Sequence, residues 1–106
     1  MVAKTKYGLL VEGDYSIEYR FKPVGTSMNN FQEVVGSCNC PELKFTDSFM
    51  QEGIYYEFYL HDSGVEIKID DDNKDGDIVF FGEKRLVEDA RSCLELLTQW
   101  RLEEVK

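Results

Sequence analysis

The chain has 106 residues, of which 42% are hydrophobic and 13% aromatic, enough for a single globular domain over 1–106 and too few for a second independent core. It is strongly acidic: 21 Asp and Glu against 12 Lys and Arg give a formal charge of −9, a surface that repels phosphate and so disfavours direct contact with nucleic acid or an anionic membrane. After Met1 no unbroken apolar stretch precedes Glu12 and Asp14, no run reaches the length of a membrane span, and the three cysteines form no disulfide framework, so a cytoplasmic location with free thiols is expected.

In chain order, Tyr7 to Val11 reads as a first strand. The turn Glu12-Gly13-Asp14 pairs it with a second, in which Tyr15, Ile17, Tyr19 and Phe21 alternate with Ser16, Glu18, Arg20 and Lys22. Pro23 closes that strand, and Gly25 to Asn30 is loop. Phe31 to Val35 reads as a short strand, with a helical turn capped by Ser27 or Asn29 as the alternative. Gly36 to Pro41 is irregular, because Gly, Ser, Asn and Pro each resist regular pairing, and Leu43 to Thr46 resumes a strand before a loop ending at Gly53.

The firmest hairpin follows. Ile54, Tyr56, Phe58 and Leu60 share one face of a strand with Tyr55, Glu57 and Tyr59 on the other. A turn over His61-Asp62-Ser63-Gly64 leads to Val65, Ile67 and Ile69, which alternate inward. A last strand, Ile78 to Phe81, is apolar on both faces. From Lys84 the period becomes 3.6, with Leu86, Ala90, Cys93, Leu94, Leu97 and Trp100 on one stripe and Glu88, Asp89, Arg91, Glu95, Gln99 and Arg101 opposite. The expected fold class is α+β, an antiparallel sheet of about five to seven strands in hairpins or a meander, curved or barrel-like, with one long C-terminal α-helix packed on it.

The ending from Asp77 to Trp100, a strand running into a C-terminal helix that carries a Trp, resembles the pleckstrin-homology plan and related barrels. The resemblance implies a curved sheet capped by that helix. The basic phosphoinositide-binding loop of that family has no counterpart in Glu12-Gly13-Asp14, so a lipid function is not implied.

Two clusters carry candidate chemistry. Asp71, Asn73, Asp75 and Asp77, with Gly76 between the last two, stand at the spacing of a calcium loop, where alternate side chains converge on a cation needing six to eight oxygen ligands. The bidentate acid of such a loop is replaced by Gly82, with Glu83 one residue late, and the flanks read as strands. The segment is therefore read as a polar hairpin tip, with calcium as the alternative and no cofactor otherwise. Cys38, Cys40, Cys93 and His61 hold the atoms of a zinc site without its usual spacing and read as packing or incidental thiols.

No phosphate-binding glycine loop or supported nucleophile pair is present in the sequence, and a catalytic role is not expected. What remains is binding. An acidic domain is steered toward a protein with a basic surface, in the manner of an inhibitor, an immunity protein or a nucleic-acid mimic. A calcium module and an accessory or chaperone-like subunit are the alternatives. Tyr55, Glu57 and Tyr59, with Asp70 and Asp72, are the candidate partner-binding residues, since tyrosines beside a carboxylate make an amphipathic anchor.

Overall fold

The computed structural model describes residues 2–4, 10–12, 18–71 and 76–105, the side chains of 2–4, 10–12 and Asp71 excepted. The elements run β1 (Val2–Lys4), β2 (Leu10–Glu12), β3 (Glu18–Pro23), α1 (Met28–Ser37), β4 (Leu43–Gln51), β5 (Ile54–His61), β6 (Glu66–Asp71), β7 (Ile78–Phe81), α2 (Lys84–Thr98) and β8 (Leu102–Glu104). β1 and β2 form a two-stranded sheet, and the other strands a six-stranded sheet in the order β4-β5-β6-β7-β3-β8. Every pairing is antiparallel. The fold is α+β as its patterning predicts, but β4 and β8 end the order without meeting, so the sheet is open and not a barrel.

The expected first hairpin is re-paired. Leu10–Glu12 lies against Val2–Lys4, while β3 has β7 on one side and β8 on the other. The sequence offers no breaker after Trp100, yet α2 stops at Thr98. Thr98 turns its hydroxyl back to donate to Leu94 O at 2.7 Å, and Gln99 takes a left-handed φ of 69°. The chain then re-enters the sheet as β8. Glu95 secures this return: its Oε2 accepts from the Leu102 N–H at 2.7 Å, and its Oε1 from Arg91 at 3.2 Å.

The segment expected as a strand at Phe31 to Val35 is helical. Ser27 is extended, and its hydroxyl accepts the Asn30 N–H at 3.1 Å, satisfying one of the first-turn donors. The helix then buries Phe31, Gln32 and Val35, spaced by one, three and four residues on one face. Five residues of mixed alternation misled the strand reading; the cap and the 3.6-residue spacing decide it.

Both helices cover one face of the sheet. Phe31 and Val35 of α1 and Val87, Ala90 and Leu94 of α2 share a core with Phe21, Tyr59, Ile67, Ile69, Ile78, Phe80 and Leu102. The predicted α2 stripe is right at Ala90 and Leu94; Leu86, Leu97 and Trp100 border the core, and Val87 replaces Cys93 at its centre. At roughly 1.5–3 kcal/mol for each large apolar side chain withdrawn from water, this layer is what holds the helices down. The opposite face carries Tyr56, Phe58, Val79 and Phe81, also buried.

β4 runs on to Gln51 where a loop was expected, and reverses through Glu52 and Gly53, both at positive φ, as a two-residue hairpin turn requires. Between Phe45 and Asp47 the pairing register slips. Phe45 lies opposite Tyr59 and Asp47 opposite Phe58, so Thr46 is the extra residue of a β-bulge. The slip reverses facing along the strand. Phe45 packs edge-on to Tyr59 on the helix side, ring centroids 5.6 Å apart, whereas Phe49 stacks on Tyr56 and Phe58 on the other side, at 5.2 and 5.7 Å.

Candidate functional site

Tyr55, Glu57 and Tyr59 alternate along β5, so a pleated strand must put them on one face, and that face turns toward α1. The Glu57 carboxylate lies between the two phenols: Tyr55 Oη donates to Oε2 and Tyr59 Oη to Oε1, each at 3.4 Å. Burial pushes the Glu57 carboxyl above its ordinary range, and the two hydroxyls pull it partly back. Burial, and then the neighbouring Glu57, pushes the Tyr59 phenol far above its ordinary value, so it stays protonated and donating. Tyr59 itself is 4% exposed and belongs to the core, so it presents an edge and a hydroxyl, not a free ring.

Two clefts meet at Glu57. One, of about 270 Å³, is lined by Gly36, Phe45, Glu57 and Tyr59, with Cys38 and Cys40 at its side. The other, of about 480 Å³, is lined by Asn29, Gln32, Glu33, Ser37, Tyr55 and again Gly36 and Glu57. Gly36 keeps the passage between them open: a Cβ there would stand 3.5 Å from Tyr59 Oη and 3.9 Å from Glu57 Oε2. Among the described residues, no lysine, arginine or histidine lines either cleft, and no cation lies within ion-pair distance of Glu57. The arrangement is a half-buried carboxylate with aromatic walls and an open side, suited to a cationic group that brings its own charge.

The other expected binding residues fall elsewhere. Asp70 pairs with Tyr56 across β5 and β6, which places it on the face opposite Glu57. Asp72, Asn73 and Asp75 lie outside the described residues, and of Asp71 only the backbone, at the end of β6, is described. Asp77 is held from its own sheet: Oδ2 accepts from Arg20 at 3.2 Å, and Oδ1 is 3.7 Å from Lys22 Nζ. Gly76, which stands within the calcium-loop spacing, answers a packing demand, since a Cβ there would fall 2.2 Å from Asp70 O and 3.0 Å from Met28 Cγ.

A second cluster joins residues far apart in sequence. Ligand atoms of Glu42, His61 and Cys93 lie within 4.8 Å of one another, where the end of β5 and the connection after α1 meet the middle of α2. Cys40 is a close neighbour of the Cys93 thiol. Cys38 and Cys40 both line the smaller Glu57 cleft. The His61 ring is fixed through Nδ1, which accepts the Ser63 N–H at 3.1 Å and stands 2.8 Å from Ser63 Oγ. Burial first, then Cys40, Glu42 and Asp62, push the Cys93 thiol up to about 12, so at neutral pH it is a protonated thiol and a poor nucleophile.

Phe45, Gly36, Glu33 and Glu42 were not anticipated. Phe45 reaches the cleft only through the bulge, and Gly36 and Glu33 only because α1 is a helix. For Glu42, the Cys40-Pro41-Glu42 spacing beside a distant His and Cys was the available signal. No protein-family model, curated protein or solved structure matches the chain; no helix among the described residues is long and apolar enough to cross a membrane.

Proposed function

We propose that the protein is a binding module for a basic partner protein and receives a lysine or arginine side chain over Glu57, as an inhibitor or a mimic of an acidic ligand does. The observation that carries this reading is a half-buried carboxylate held by Tyr55 and Tyr59 hydroxyls, with no cation within ion-pair distance among the described residues, at the junction of two open clefts. Its desolvation cost is offset when an incoming cation completes the pair. Phe45, half exposed beside Tyr59, offers an aromatic surface to the same group. The formal charge of −9 adds long-range steering, which raises association rates and fades with salt.

A lysine- and arginine-rich peptide, titrated into isotopically labelled protein, tests the reading. Amide shifts are expected to centre on Gly36, Glu57 and Tyr59, to weaken with added salt and to be lost in Glu57→Gln. Shifts scattered over the acidic surface and unchanged by Glu57→Gln would overturn it.

A further inference from the structure

We infer that Cys40, Glu42, His61 and Cys93 form a binding site for a zinc-class divalent cation. The fold, not the sequence spacing, assembles it. Cys40 and Glu42 come from the connection between α1 and β4, His61 from the end of β5, and Cys93 from α2. Ligand atoms of Glu42, His61 and Cys93 stand within 4.8 Å of one another, and Cys40 is a close neighbour of the Cys93 thiol. Donor atoms around a tetrahedral zinc are about 3.3–3.8 Å apart, given metal–ligand bonds of about 2.0–2.3 Å. For Glu42, His61 and Cys93, closure therefore takes side-chain movements of roughly an ångström, within reach of an exposed Glu42. Two sulfurs, one imidazole and one carboxylate suit zinc better than calcium or magnesium, which take oxygen ligands.

The surroundings fit this assignment. His61 is 8% exposed, and its Nδ1 is occupied by Ser63, which leaves Nε2 as the nitrogen free to ligate. When Nε2 holds a metal, the ring proton moves to Nδ1 and is accepted by Ser63 Oγ, as outer partners of metal-bound histidines do, while the Ser63 N–H contact gives way. On binding, both thiols release their protons to solvent, and thiolates and metal take their place. With all four positions filled by the chain, the site is a structural clasp of α2 onto the β4–β5 side of the sheet. Glu42, His61 and Cys93 line neither Glu57 cleft, and only Cys40 borders the smaller one, so the site stands or falls separately from the Glu57 reading.

The test is titration of the reduced, metal-free protein with Co²⁺ alone, followed by Zn²⁺. One Co²⁺ per chain is expected, with tetrahedral ligand-field bands and sulfur-to-cobalt charge transfer that Zn²⁺ abolishes, and a melting temperature that climbs with metal concentration. Cys93→Ser should weaken binding by more than tenfold, Glu42→Gln, at an exposed position that leaves folding intact, by about tenfold, and Cys38→Ser not at all. Octahedral cobalt without charge transfer, equal loss in Cys38→Ser, or a Glu42→Gln protein that binds as the parent does would overturn the site.

Discussion

Glu57 and Asp77 are both carboxylates on the six-stranded sheet, and they are treated in opposite ways. Asp77, on the face away from the helices, is met by Arg20 and Lys22 of the neighbouring strand. Glu57, under α1, is met by two tyrosine hydroxyls and two open clefts. A chain that neutralises one half-buried acid with its own cations and leaves the other to phenols separates a structural charge from an available one. The lesson is that in a protein of net charge −9 the acidic count says little; the carboxylate with no cation beside it among the described residues is informative.

The comparison can be broken from the Asp77 side first. Gly76→Ala forces a Cβ into Asp70 O at 2.2 Å and should destabilise by about 1–3 kcal/mol, as overpacking does. Urea unfolding measures it, and a loss within error would show that the β6–β7 end yields freely. A smaller effect is expected from Asp77→Asn, about 1 kcal/mol or less and shrinking with salt, because Arg20 is 44% exposed at its side chain.

The smallest effect sharpens the Glu57 side. Burial raises the Glu57 carboxyl above its ordinary value of 4.5, so between the two values the folded chain keeps a proton that the unfolded chain has released. The stability linked to that proton is full below the ordinary value and is lost as pH rises through the raised one. Glu57→Gln should flatten this decline in melting temperature as pH rises above the ordinary carboxyl value. Part of the slope should persist, since burial raises the Glu66 carboxyl as well, and Glu66→Gln should remove it. An unchanged profile in the double variant would mean that neither carboxyl is perturbed.

Much of the fold is legible where one period persists. Val65, Ile67 and Ile69 alternate strictly and are buried to 0% exposure, and α2 follows its stripe through Ala90 and Leu94. Legibility fails where an element is short or its ending unmarked: α1 rests on one capping serine, and β8 on a left-handed Gln99 that no glycine announces. The site divides the same way. Tyr55, Glu57 and Tyr59 had to share a face by alternation alone. Asp70 could not be placed without the β5–β6 register, nor Phe45 without the bulge, because a shift of one residue reverses facing.

Among the described residues, the two end strands of the sheet have unequal capacity to recruit a further strand. β8 offers three residues and ends on exposed Glu103 and Glu104, too short and too charged to template polymerisation. β4 spans nine residues, with Met50 66% exposed and Phe45 50% exposed, the length and stickiness along which copies of a chain add edge to edge. Thr46 interrupts it: a bulge removes the even row of N–H and C=O groups that an incoming strand would need, and exposed Lys44 and Asp47 flank the break. The same extra residue that carries Phe45 over Tyr59 thus acts as a brake on fibrous self-assembly, and deleting it would straighten the edge into a competent template for aggregation.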